Sequence, residues 1–196
     1  RRAETIGLED DPAFCFFSDG VFRQASFPEP LVLRFAGPDG DKIGNRETAA
    51  GLRVQFRTPT ELKQDGRVVE LPEAQVLAAR AFDRISALQH FYGEQPWAEE
   101  TVREQRQSLL EAAGCLTVAK HNLTMVGAER LSSRTGQKHA LEGFVGEVEY
   151  QGPGKVIPVL TPWLRAAAMA GVGRQTVWGK GEVRSGHLPR NGLERA

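Results

Sequence analysis

The stretch Gly171-Val172-Gly173-Arg174-Gln175-Thr176-Val177-Trp178-Gly179-Lys180-Gly181 carries two G-x-G pairs with five residues between them. Glycine at this density marks backbone held in left-handed or crowded conformations, or brought close to something else. The stretch follows a helix-like segment over residues 162–170, so Gly171 also suits the residue that ends that helix. It carries Arg174 and Lys180, and no carboxylate follows before Glu182. An anionic backbone could lie along such a surface, and a purely structural turn and bulge fits the same residues. Two nucleotide motifs are excluded. A dinucleotide fingerprint needs its glycines between a strand and a helix, and here they lie between a helix and a strand. A P-loop needs four residues between its glycines and then Lys-Ser/Thr, whereas here the gap is five and Lys180 precedes Gly181.

The preceding chain places this stretch in a fold. Leu52, Val54 and Phe56 alternate with Arg53, Gln55 and Arg57, the period of a half-buried strand, and Asp65-Gly66 signals a turn. Pro72 opens a helix whose stripe is Leu77, Ala81, Ile85, Leu88 and Tyr92, and Gly93 ends it. A second, highly charged helix over residues 98–113 has only Val102, Leu109 and Leu110 as large apolar positions, so it belongs on the surface; Gly114 closes it. Residues 115–132 and 141–150 read as strands around the polar, basic segment 132–139, giving a hairpin with a basic tip. Thr161 and Pro162 read as cap and first residue of another helix, with Leu164, Ala167 and Ala168 as its apolar stripe. Residues 176–184 read as a last strand. With the second helix as an insertion, the order is βαββαβ. This is an α+β, ferredoxin-like arrangement, and it hosts many unrelated activities.

The first 45 residues offer strand candidates at 13–17 and 31–35, then a loop at 37–45. Their apolar surface is too small to fold alone. They read as the tail of a second, mostly absent domain: residues 1–50 as remnant and linker, 51–186 as the ferredoxin-like domain, 187–196 as a disordered tail. The chain begins Arg1-Arg2 without an initiator methionine, as a piece of a longer protein would. No secretory signal is seen, and no apolar run approaches the ~18 residues of a membrane span, so the expected location is cytoplasmic, with no membrane partner. Cys15 and Cys115 sit in apolar runs, as buried free thiols do. The net charge of the 196 residues is zero. Its distribution is uneven: 12 Lys/Arg against 17 Asp/Glu in residues 1–100, and 13 against 8 in the remainder. An anionic partner would meet the second half.

Placed between the last helix and last strand, Gly171-Val-Gly-x5-Gly-Lys-Gly181 resembles the glycine-rich loop of the RAMP superfamily, with Lys180 where a hydrophobic residue is usual. Three further stretches resemble one branch, the CRISPR repeat-RNA (pre-crRNA) processing endoribonucleases. They are Phe56 through Lys63 with Asp65-Gly66; Arg134 with Gly143 to Gly146 and Tyr150 to Gly152; and the helix end from Arg84 to Gly93. The resemblance spans residues 52–184. It implies a RAMP-type ferredoxin-like fold, CRISPR repeat RNA as partner, other CRISPR-associated effector subunits as further partners, and no cofactor or metal. It also implies cleavage by 2′-hydroxyl attack on the adjacent phosphorus, leaving a 2′,3′-cyclic phosphate and a 5′-hydroxyl. In many members the catalytic histidine lies in the first domain.

Histidine suits such proton transfers, and His139, in the basic hairpin, and His121, between Lys120 and Asn122, are the candidates here. His90, at a helix end, reads as structural, and His187 as part of the tail. Arg134, Lys138, Arg174 and Lys180 are the expected RNA contacts, with Gly171, Gly173, Gly179 and Gly181 letting RNA approach the backbone. Two other readings stand beside this one: a non-catalytic RAMP subunit that scaffolds guide RNA, and a ferredoxin-like module with a protein or small-ligand partner.

Overall fold

The alternation around Val54 forms the central strand of a four-stranded sheet in a computed structural model. The model describes residues 3–4, 15–18, 21–22, 49–93, 95–127, 129–131, 136–140 and 142–189. The chain divides into two units, Arg1–Arg34 and Phe35–Ala196. In the first, Ala3–Glu4, Cys15–Ser18 and Val21–Phe22 form a small antiparallel sheet. The strand expected at 31–35 and the loop at 37–45 lie outside the described residues.

The second unit contains β1 (Ala49–Thr60), α1 (Ala74–Tyr92), α2 (Glu99–Gly114), β2 (Thr117–Val126), β3 (Gly143–Gln151), α3 (Ile157–Ala170) and β4 (Val183–Pro189). The strands pair antiparallel in the order β4-β1-β3-β2, the ferredoxin-like order. Leu52, Val54 and Phe56 on β1, with Phe144, Val148 and Tyr150 on β3, pack into the core shared with the helices. Phe56 and Phe144 meet edge to face at 4.9 Å. Each such side chain contributes roughly 1.5–3 kcal/mol by leaving water. The opposite sheet face is polar: Arg53 Nε donates to Glu149 at 2.9 Å across the β1–β3 ladder. Asp65 and Gly66, both at positive φ, turn a short ribbon between Lys63–Gln64 and Arg67–Val68, as their pairing in sequence predicts.

Several boundaries depart from the sequence-based expectation. Helix α1 begins at Ala74, after Pro72, whose carbonyl accepts a buried hydrogen bond from the Tyr150 hydroxyl at 2.8 Å. Burial pushes that hydroxyl's pKa upward. No α1 side chain beyond Ile85 is fully buried, and Phe91 and Tyr92 are 74% and 83% exposed. Tyr92 thus leaves the expected stripe. Helix α2 is a surface helix as expected, resting on Leu109, Ala112 and Ala113. Cys115 follows it directly and is exposed rather than buried, because the chain is turning there and its side chain faces out of the core. The strand expected over 115–132 is β2 followed by a break at Gly127. Beyond the break, Glu129–Leu131 pairs with Lys138–Ala140 as a separate hairpin.

Helix α3 starts a full turn before the expected cap. Buried Ile157 and Leu160 bind that turn to the core, and Pro158 takes the early position that tolerates proline. Thr161 is therefore inside the helix, its hydroxyl donating to the Ile157 carbonyl at 2.9 Å, and Pro162 is an interior proline. The strand expected over 176–184 is interrupted: Thr176–Trp178 is a 3-10 turn, because Gln175 and Gly179 on either side are left-handed. Strand β4 starts later and runs through His187, Leu188 and Pro189, which pair with Leu52, Gly51 and Ala49. The disordered tail expected from residue 187 is thus a strand to Pro189. Among the described residues no helix is long and apolar enough to cross a membrane.

Candidate nucleic-acid interface

Helix α3 ends as expected. Gly171 is at φ 74° and its amide donates to the Ala167 carbonyl at 2.8 Å. From there the glycine-rich loop folds onto the end of β1. The amide of Arg174 donates to the Glu61 carbonyl at 3.1 Å, that of Gly181 to Pro59 at 3.2 Å, and that of Val172 to Gly181 at 2.9 Å. The backbones approach so closely that side chains are barred. A Cβ on Gly173 would lie 2.5 Å from the Glu61 carbonyl oxygen, and one on Gly181 would lie 2.0 Å from that of Val172. These two glycines therefore bring protein backbone to protein backbone.

Lys180, expected among the RNA contacts, has an internal role instead. It is 3% exposed, and its ammonium donates to the Glu142 carbonyl at 2.6 Å, to Gln175 Oε1 at 2.9 Å and to Glu61 Oε2 at 3.3 Å. An ammonium has three donors, and all three are used. Burial by itself would raise the Glu61 carboxyl pKa. The hydrogen bonds and charges of Arg174 and Lys180 outweigh it and hold Glu61 below the usual carboxylate value. Glu61 thus binds the loop from beneath through two cations. It lies in the Phe56–Lys63 stretch of the resemblance, but nothing local marked it as a site residue, since its partners are more than a hundred positions away.

What faces outward is the segment between the glycine pairs. Arg174 donates to Glu61 Oε1 at 2.7 Å, yet its side chain stays half exposed. Val177 is 81% exposed and Trp178 37%, and around Gly179 a Cβ would meet nothing within 4 Å. Arg174 and Gly179 are therefore accessible, as a ligand contact requires. Val177 and Trp178 were not singled out by sequence, where they read as part of a strand.

The other expected contacts lie on the small hairpin and the sheet edge. Lys138 is exposed and pairs with Glu129 at 3.0 Å. His139 pairs through its backbone with Arg130 on the facing strand; its side chain and all of Arg134 lie outside the described residues. His121 is exposed on edge strand β2, opposite Val148. His90 stacks edge to face on Phe91 at 5.0 Å, and His187 Nε2 lies 3.1 Å from the Thr161 hydroxyl. His90, His121 and His187 thus sit on three separate elements. Among the described residues no cluster of three or more His, Cys, Asp or Glu is placed to hold a metal ion.

The family model "CRISPR-associated endoribonuclease Cas6" matches residues 54–183, from the second apolar position of the β1 alternation to the first residue of β4. No curated protein sequence matches the chain. Among solved structures it is similar to Thermus thermophilus Cas6 (TTHB231), with 20% identity over 70% of this chain and 54% of that one and a TM-score of 0.52. The Cas6 (TTHB231) product complex gives 20% identity, 71% and 53% coverage and a TM-score of 0.51. The Cas6 (TTHA0078) product complex gives 26% identity, 71% and 52% coverage and a TM-score of 0.49. The chain thus spans about half the length of these proteins, and the first two comparisons bear on the fold. The matched residues hold all four strands of the sheet at least in part, together with the whole glycine-rich loop, so the chain belongs to the CRISPR-associated endoribonuclease Cas6 family.

Proposed function

We propose that this chain is the RNA-binding half of a protein that processes CRISPR repeat RNA by metal-independent cleavage. The observation that carries this reading is the glycine-rich loop. It is locked onto the end of β1 by Glu61 and Lys180, presents Arg174 outward, and lies wholly within the residues matched to Cas6. Arg174, Lys138 and Arg134 take phosphates, which need only cations and amides. In the reaction a base removes the 2′-hydroxyl proton and the oxygen forms a bond to the adjacent phosphorus. The P–O5′ bond breaks, and an acid returns a proton to the 5′-oxygen. The products are a 2′,3′-cyclic phosphate and a 5′-hydroxyl, with no cofactor required. Residues upstream of β1 belong, in this reading, to a second domain, and other CRISPR-associated subunits receive the product.

The dispersal of His90, His121 and His187 over three elements favours a second reading, a non-catalytic RAMP subunit that binds or scaffolds guide RNA in an effector complex. Incubating this chain and the full-length protein with the host's repeat RNA in EDTA decides between the two. Cleavage by both places the catalysts here, with His139→Ala and His121→Ala as the first variants. Cleavage by the full-length protein alone, with salt-sensitive binding by the chain, moves the active site upstream. Binding without cleavage by either favours the scaffold, and no binding at any salt removes the RNA reading.

A further inference from the structure

The tip of the glycine-rich loop exposes apolar surface that it has no freedom to hide. Val177 and Trp178 both lie in a 3-10 turn bounded by left-handed Gln175 and Gly179. Gln175 is itself tied to the buried Lys180 ammonium, and Lys180 to Glu142 and Glu61. A loop free to relax would turn a valine and an indole toward the core; this one is fastened on both sides of them. Trp178 presents 37% of its surface while held by an interaction of its own. Three residues before Val177, Arg174 uses one guanidinium nitrogen on Glu61 and keeps more than half of its side chain in solvent. A guanidinium carries five N–H donors, so several remain for a second anion.

An apolar face with an indole, held rigid beside a cation, matches the chemistry of a nucleotide: a flat base to stack and a phosphate to pair. A duplex buries the faces of its bases in its own stack, so the ligand must be unpaired. We propose that residues 174–178 form a subsite for one unpaired nucleotide of the bound RNA, its base stacked on Trp178 with Val177 at the edge and its phosphate on Arg174. This rests on the RNA-binding reading above and specifies which part of the RNA the loop takes.

The test compares binding of the single-stranded repeat RNA with binding of the same RNA annealed to its complement, using the 196-residue chain. Trp178→Leu should weaken single-strand binding about tenfold, the worth of roughly one stacked base, and leave duplex binding unchanged. Trp178→Phe should restore most of the loss, and Val177→Ser should reproduce part of it without touching the ring. Unchanged single-strand affinity in Trp178→Leu, or equal loss on both RNAs, overturns the subsite while leaving RNA binding intact. Intact affinity for both RNAs, with lost association to a CRISPR-associated subunit, would assign the tip to a protein partner instead. Binding of neither RNA by the unsubstituted chain removes the RNA reading, and the subsite with it.

Discussion

Lys180 shows how one residue can look like a surface cation and act as a core bolt. A buried ammonium is costly unless its donors are satisfied, and here a carbonyl, an amide oxygen and a carboxylate satisfy them. Lys180→Met keeps the bulk but leaves those acceptors short of a donor. It should lower unfolding free energy by about 2 kcal/mol in urea melts. Combining it with Glu61→Gln should cost less than the two single losses added together, because the substitutions act on one network. The same carboxylate makes stability depend on pH. Its folded pKa lies below the ordinary 4.5, so its contribution is complete above that value and fades as pH falls through the lower folded value. The stability difference between the wild type and Glu61→Gln, followed by thermal melts, should therefore shrink on acidification below pH 4.5 and stay level above it.

At the scale of elements, the glycine-rich loop is defined by which glycines are crowded. Gly173, Gly179 and Gly181 all have positive φ, but only Gly173 and Gly181 press against another backbone. Alanine at Gly179 meets open space and should cost only the left-handed penalty, roughly 1–2 kcal/mol. Alanine at Gly181 adds a clash with the Val172 carbonyl that cannot give way, so its loss should clearly exceed that of Gly179→Ala. Denaturant midpoints of the two variants check the order, and equal losses would mean that the close approach is relieved elsewhere. Helix α3 feeds the loop from an interior proline, and the buried Ile157 and Leu160 on its first turn outweigh the hydrogen bond that Pro162 lacks.

The whole molecule is neutral, but charge useful to an RNA must be both basic and reachable. Arg174 is reachable and Lys180 is not. Arg174→Gln should therefore flatten the dependence of log affinity on log salt by about 0.7 for a single strand, one released counterion's worth. Lys180→Met should lower stability yet leave that slope unchanged under conditions where it is folded. Titrating both variants with repeat RNA across a salt series reads the two effects separately. A slope change in Lys180→Met would mean that the ammonium leaves its buried site when RNA binds.

By itself the sequence determined the βαββαβ order, because period-two alternation on β1, apolar stripes on the helices and glycines at their ends are local signals. The identity of the loop was legible for the same reason: its glycines and their spacing lie within eleven consecutive residues. Tertiary structure alone decided which of its residues face water. Arg174 and Lys180 are both cations within one short loop, and their fates differ through contacts with Glu61 and Glu142, far away in the chain. The start of α3 and the exposure of Tyr92 were also set by packing: the core drew in a turn that proline spacing left out, and the helix ran on past the last residue the core could cover. Local pattern reports what a segment can become, and burial, a sum over distant neighbours, settles what each side chain is for.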